Sequence, residues 1–370
     1  MDNTRDLNTA EQRLVARSGM LGIPINGAME LLPLCNMNCD MCYVRLSRAE
    51  MEKQGRIRSG AEWLAVGRQM ARAGTLFLLL TGGEPLLHPD FREIYLGLKK
   101  MGMILTINTN GTLIDEAWAD FFANNKPRRI NITLYGANSS TYERLCHYRD
   151  GFGRVIRAVK LLRQRGVDVK LAGSLTAENA ADLTDMIQIA KELDVPLHVD
   201  TYMMPAARER DIPFDRQSRM EPEAAAAAAI KFLRNAKSAE EFAAYRDEML
   251  QKVDRYIPGE RAPALPGCLA GRCGFTISWL GRLQPCEVLT DPAANVFEVG
   301  FEAAWSNVRQ AYQGVRYCAD CSSCRLRPLC STCPAAALTE TGDYMGKPEY
   351  LCRYAARYEQ LLRQEDGQNE

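Results

Sequence analysis

The sequence predicts an α/β fold: a partial (β/α)6, TIM-like barrel followed by a small C-terminal domain stapled by metal or iron–sulfur ligands. Three observations predict it. Between residues 28 and 201, six short apolar runs alternate with amphipathic stretches, the pattern of parallel strands joined by right-handed crossovers. Eight of the 13 cysteines lie within 268–333, where the long periodicity stops. The 370 residues also exceed one average domain of ~150.

The chain opens with a helical segment, TAEQRLVARSGML, whose cap is read as Thr9 with Gln12 three residues later. Residues 1–27 form this extension. The apolar runs follow at 28–34, 76–81, 103–108, 129–134, 167–173 and 196–200, with helices expected near 59–73, 90–101, 115–124, 152–165 and 179–193. Gly102 and Gly166 stand where helix C-termini want glycine. An open doubly wound sheet fits the same periodicity. In both folds the active site belongs at the C-terminal ends of the strands. The barrel is assigned to 28–205.

Residues 206–265 change character. Pro213 and Pro222 precede two helices, EPEAAAAAAIKFLRNA and SAEEFAAYRDEMLQKVDRY, and IPGERAPALPG closes the bridge. The alanine run reads as a packed helix, alanine being the best helix former. Residues 266–370 form the cysteine-rich domain, ending in a helix from Tyr350 to Gln364.

Lys+Arg and Asp+Glu balance at 46 each, so charge gives no reason to bind nucleic acid or an anionic membrane. No apolar run approaches the ~20 residues of a membrane span, and no signal peptide opens the chain. A cytoplasmic protein is expected. There an odd number of clustered cysteines reads as metal or iron–sulfur ligands, not disulfides. Three histidines leave little for mixed zinc sites.

Two constellations carry the chemistry. Cys35-x3-Cys39-x2-Cys42 follows the first predicted strand, and Tyr43 comes next. Three thiolates on a four-iron cluster leave one iron open to a substrate or cofactor. The second strand ends in Thr81-Gly82-Gly83-Glu84-Pro85, the third in TNGT (109–112) and the fourth in Thr133-Leu134-Tyr135-Gly136. The C-terminal set is Cys268-x4-Cys273, Gly281-x4-Cys286, Cys318-x2-Cys321-x2-Cys324-x5-Cys330-x2-Cys333 and Cys352. Two zinc ribbons are the alternative for this region.

The first constellation resembles the signature of radical S-adenosylmethionine (radical SAM) enzymes, and the second resembles the SPASM domain of peptide- and protein-modifying members. The resemblance implies S-adenosylmethionine and three 4Fe–4S clusters as cofactors. Cys35, Cys39 and Cys42 would hold the cluster that reductively cleaves S-adenosylmethionine to a 5′-deoxyadenosyl radical. Tyr43, Gly82, Gly83, Glu84, Asn110 and Thr133 would lie at the cofactor. Cys268, Cys273, Cys286 and Cys333 would ligate one auxiliary cluster, and Cys321, Cys324, Cys330 and Cys352 the other. The x2 spacing before Cys333 departs from the family's x3 and puts its reach in question. Cys146 and Cys318 are left over, and Cys318 could replace a neighbouring ligand. Glu287 stands where sulfatase maturases carry an aspartate base. Asp200, Tyr202 and Met203 are further candidates for the substrate cavity.

The resemblance implies a peptide or protein substrate, with maturation of a ribosomally made peptide as the main reading. A sulfatase-maturase-like or haem-biosynthesis-like activity is the alternative. A zinc-binding interaction protein and a simple electron carrier lie outside the class. The 34 residues before Cys35 are too few for a fused peptide-recognition domain, so a separate leader-peptide-binding protein or the barrel surface would serve. A flavodoxin or ferredoxin would supply electrons.

Overall fold

The computed structural model describes residues 8–205, 208, 218–257, 268–316 and 318–364. In chain order the elements are α1 (Thr9–Leu21), β1 (Asn26–Glu30), α2 (Arg48–Gln54), α3 (Gly60–Ala73), β2 (Phe77–Thr81), α4 (Phe91–Lys100), β3 (Ile104–Thr109), α5 (Glu116–Asn124) and β4 (Arg129–Thr133). There follow α6 (Ser139–Cys146), α7 (Gly151–Gln164), β5 (Val169–Ser174), α8 (Leu183–Glu192), β6 (Leu197–Asp200), α9 (Pro222–Ala236) and α10 (Ala239–Asp254). The C-terminal part holds β7 (Gly274–Ile277), β8 (Arg282–Gln284), β9 (Ala294–Asn295), α11 (Val296–Val299), α12 (Phe301–Tyr312), α13 (Ala319–Ser323), α14 (Pro334–Thr341) and α15 (Glu349–Gln364).

One sheet runs through the molecule in the order β6-β5-β4-β3-β2-β1-β7-β8-β9. The first six strands are parallel and lie in sequence order. A doubly wound sheet would reverse direction at a switch point; this one progresses like a barrel that stays open. β7 pairs parallel to β1, with Met29 opposite Ile277. The C-terminal segment therefore extends the sheet. Phe275, Phe301 and Trp305 join the main core, with Phe275 centroids 5.0 and 6.0 Å from the other two rings. The four residues of β7 are too short to stand out amid the cysteines.

Each strand alternates or is buried throughout as its position requires. β2, central and covered on both faces, buries Phe77 to Leu80 in one run. Gly102 and Gly166 adopt φ of 88° and 66° after their helices, as expected. The cap of α1 falls one residue before the expected Thr9. Asn8 accepts from Glu11 N while the Glu11 carboxylate accepts from Asn8 N. The first strand also ends sooner than residue 34, because Pro33 has no N–H for a ladder. Helices α2 and α6 were not foreseen, although Ser47 and Glu50 form a full capping box before α2. The alanine-rich α9 is packed: Ala225 and Ala226 are fully buried. Ala226 and Ile230 meet Phe242 of α10 and Leu362 of α15. Among the described residues, no helix is long and apolar enough to cross a membrane.

Candidate functional site

The cysteine loop leaves the C-terminal end of β1 and is clamped from two sides. On one side, Gly83 N and Glu84 N donate to Leu32 O and Leu34 O at 2.8 and 2.9 Å. A Cβ on Gly82 would stand 2.5 Å from Leu32 O, and one on Gly83 would stand 2.4 Å from Leu34 O. The two glycines are therefore what lets β2 end against the backbone entering the loop. On the other side, Asn38 N and Asp40 N donate to the Cys146 and Leu145 carbonyls at the end of α6, both at 3.1 Å. His147 Nε2 lies 2.7 Å from Asp40 Oδ1.

The loop's sulfurs already face donors. Met37 N reaches Cys35 Sγ and Arg45 N reaches Cys42 Sγ, each at 3.4 Å, and Asn110 Nδ2 stands 3.6 Å from Cys35 Sγ. Donors aimed at sulfur suit thiolate ligands of an iron–sulfur cluster. Burial pushes the Cys35 thiol well up; a Cys146 contact followed by burial does the same to Cys39. Without a bound cation these groups stay protonated.

Glu84 is fully buried and its carboxylate accepts from Leu86 N at 3.1 Å, Thr109 Oγ1 at 2.8 and 2.9 Å, and Asn110 N at 2.8 Å. It buckles the end of β2 to the end of β3. Burial raises its pKa to about 7 against the pull of those bonds. Asn110 also donates to Asn36 Oδ1 at 2.9 Å, which ties the third strand's end to the cysteine loop. Thr133 ends β4, and two residues on, Tyr135 reaches Cys39 with its hydroxyl. Burial, then the charges of Cys39, Cys146, Cys42 and Cys35, push that phenol up. Tyr135 was quoted as part of a motif but given no role.

Tyr43 meets the C-terminal segment. Its hydroxyl stands 3.5 Å from Glu287 Oε2. Arg208 lies 5.3 Å from the Tyr43 ring centroid, donates to Glu287 O at 3.1 Å and pairs with Glu30 at 2.5 and 2.7 Å. Both members of that pair are 2% exposed. Arg208, alone in a proline-rich stretch, carried no spacing signal. Of the remaining candidates, Asp200 is exposed beside His198 at 3.1 Å, Tyr202 donates to Glu340 at 2.9 Å and Met203 packs on the core.

The C-terminal thiols stand around two cavities. The first, about 550 Å³, is lined by Cys268, Cys286 and Cys333 together with Glu287 and Met204. Leu289 N and Ala336 N approach Cys286 Sγ and Cys333 Sγ at 3.3 and 3.4 Å. Burial lifts Cys286 to about 12. Cys273 is buried beside them with its sulfur 3.7 Å from Val15 O of α1, outside the cavity lining. The second cavity, about 290 Å³, is lined by Cys321, Cys324, Cys330 and Cys352. Burial lifts Cys321 to about 12 and Cys352 to about 11. Cys318 is outside this lining and accepts Cys321 N at 3.2 Å. Among the described residues, no three Cys, His, Asp or Glu side chains draw close enough to hold a single ion.

The sequence profile of the Radical SAM superfamily matches residues 29–190. The AdoMet-dependent heme synthase of Methanosarcina barkeri is 25% identical over 337 residues, 88% of this chain and 95% of that protein. The antilisterial bacteriocin subtilosin biosynthesis protein AlbA of Bacillus subtilis is 25% identical over 308 residues, 81% of this chain and 64% of its own length. In fold, Streptococcus suis SuiB bound to precursor peptide SuiA has a TM-score of 0.64 at 17% identity, covering 94% of this chain and 82% of that one. The matched stretch is the one that builds the cysteine loop, the Gly82-Gly83-Glu84 strand end and its Asn110 tie. Residues 29–190 are thus a radical SAM domain, and the chain's relatives include SPASM-type peptide maturases and AdoMet-dependent heme synthases.

Proposed function

We propose that the enzyme modifies a peptide or protein, in the manner of a maturase of ribosomally made peptides, using S-adenosylmethionine and three 4Fe–4S clusters. The observation that carries this reading is the grouping of the thiols into three places: the 35–42 loop and the linings of two C-terminal cavities. Cys35, Cys39 and Cys42 would hold the cluster at which S-adenosylmethionine binds; together these groups supply hydrogen-atom abstraction from an unactivated carbon. Cys268, Cys273, Cys286 and Cys333 would hold one auxiliary cluster, and Cys321, Cys324, Cys330 and Cys352 the other. Cys273 must turn from Val15 to join its set.

The protein's own part is positioning. Gly82 and Gly83 let the second strand approach the loop, Glu84 fixes Asn110 against it, and Tyr43, Asn110 and Thr133 would face the cofactor. Glu287 reaches Tyr43 and also lines the first C-terminal cavity. It is thus assigned the proton that leaves the substrate during oxidation. The neighbouring backbone carbonyl holds Arg208, which keeps the Glu287 segment against β1. A flavodoxin or ferredoxin in a reducing cytoplasm would supply electrons, and a separate protein or the barrel surface would receive the leader peptide.

The heme synthase relative, matched over 95% of its length, favours a second reading in which the substrate is a tetrapyrrole. A sulfatase-maturase-like activity stays within the first. The test compares substrates on reduced, reconstituted enzyme. Under the main reading a peptide encoded beside the gene changes in mass and stimulates 5′-deoxyadenosine release, while an iron coproporphyrin does neither. Conversion of the porphyrin with no peptide turnover would overturn it.

A further inference from the structure

We propose that Cys146 and Tyr135 donate hydrogen bonds to the Cys39 sulfur and thereby set the reduction potential of the cluster held by Cys35, Cys39 and Cys42. The proposal rests on the ligand assignment above.

The placement is tight. Cys146 is the last residue of α6 and is wholly buried; Cys39 is 5% exposed. The Leu145 and Cys146 carbonyls accept the N–H groups of Asp40 and Asn38, the residues on either side of Cys39. Those two bonds press Cys39 against the end of the helix, and the two sulfurs come within hydrogen-bond reach. Tyr135 is aimed from the end of β4. Its N–H donates to Tyr142 Oη at 3.2 Å, its carbonyl accepts Asn179 Nδ2 at 2.9 Å, and its ring meets Tyr142 edge-on at 6.0 Å. A phenol so fixed reaches Cys39 without a further loss of rotamer freedom.

Once Cys39 is a thiolate ligand, its sulfur can only accept. The Cys146 S–H and the Tyr135 O–H are then both turned toward it as donors. Hydrogen bonds to ligand sulfurs stabilise the extra negative charge of the reduced cluster and raise its potential. The Cys35 and Cys42 sulfurs meet backbone N–H groups of Met37 and Arg45, which side-chain truncation there leaves in place. Asn110 Nδ2 stands 3.6 Å from Cys35 Sγ, and Cys39 is the corner beside a thiol and a phenol. This also gives a task to a cysteine that the ligand arithmetic leaves over.

The test is an EPR-monitored redox titration of the full-length, anaerobically reconstituted enzyme. It reads the cluster whose signal changes on adding S-adenosylmethionine, with iron per chain measured alongside. In Cys146→Ala the ratio of reduced to oxidised cluster at a fixed potential should fall about tenfold, a one-electron shift of ~59 mV to more negative values. Cys146→Ser keeps a donor and should stay within about threefold of the parent. Tyr135→Phe should fall in the same direction as Cys146→Ala, and it decides the matter alone if the Cys146 variants do not fold. Unchanged potentials in Cys146→Ala and Tyr135→Phe would overturn the proposal. So would loss of about four irons in both Cys146 variants, which would make Cys146 a ligand. Full iron retained in a Cys35→Ala/Cys39→Ala/Cys42→Ala chain would instead sink the ligand assignment beneath it.

Discussion

The two thiol regions are built on different principles. The 35–42 loop is local: three cysteines within eight residues, clamped by backbone bonds from β2 and α6 and backed by two glycines. Its backbone is held by bonds from two neighbouring elements. The C-terminal thiols are gathered from 268 to 352, across short helices and turns. All four thiols of the second cavity line one space, whereas the first cavity is lined by three and its fourth candidate points at α1. The difference teaches that a strand end can bring three cysteines into one clamped loop by backbone bonds alone. Under the proposed assignment, sites assembled over 85 residues would rely on their clusters to hold the chain together.

The largest effect expected breaks the first region alone. In Cys35→Ala/Cys39→Ala/Cys42→Ala, 5′-deoxyadenosine formation should drop at least ~1,000-fold while about eight irons per chain remain in the C-terminal sites. Retained cleavage would refute the assignment of the open cluster. Gly83→Ala attacks the clamp instead of the ligands. Its Cβ would meet the Leu34 carbonyl at 2.4 Å, and the expected loss is roughly 3 kcal/mol of stability, seen as a lower thermal midpoint. The same change at Gly153 of α7, where a Cβ meets nothing, should cost nothing and raise stability by up to about 1 kcal/mol.

Glu84 gives the pH signature of the clamp. Burial raises its pKa from 4.5 to about 7, so the folded state favours the protonated form. The resulting stability is fully present below about 4.5 and is lost as pH rises to about 7, up to about 3 kcal/mol. Chemical denaturation between these pH values should show that decline in the parent. Glu84→Gln should lack this component, keeping one acceptor oxygen for the two backbone N–H groups that the carboxylate now serves with two. An identical slope in both would exclude Glu84 as its source. The smallest effect couples the two regions. Glu287→Gln should lower modified product about a hundredfold, the size of a lost general base, yet leave 5′-deoxyadenosine formation within a few-fold. Equal loss of both would make Glu287 a positioning residue for Tyr43.

Much of this was legible in the chain. The six parallel strands were written as apolar runs, and the structure packs Cys35-x3-Cys39-x2-Cys42 against Thr81-Gly82-Gly83-Glu84-Pro85. The spacing could not show that Glu84 spends its oxygens on Thr109, Asn110 and Leu86, because that depends on how two strand ends meet. Nor could it show β7 joining β1, a four-residue pairing between segments about 250 residues apart. Arg208 and Tyr135 escaped for the same reason: each acts through a contact across the fold, to Glu30 and to Cys39, with no periodic trace. Cys146 is left over by the ligand count, and its place at the end of α6 against the loop has no trace in the spacing.

The central claim is that the chain holds three four-iron clusters, one of them open. The most direct measurement is iron and zinc per chain on anaerobically reconstituted protein, run beside an assay for 5′-deoxyadenosine on reduction. The account predicts about twelve irons, negligible zinc and deoxyadenosine release. About four irons with two zincs would contradict the cluster assignment of both C-terminal cavities, and zinc alone with no deoxyadenosine would contradict the whole account.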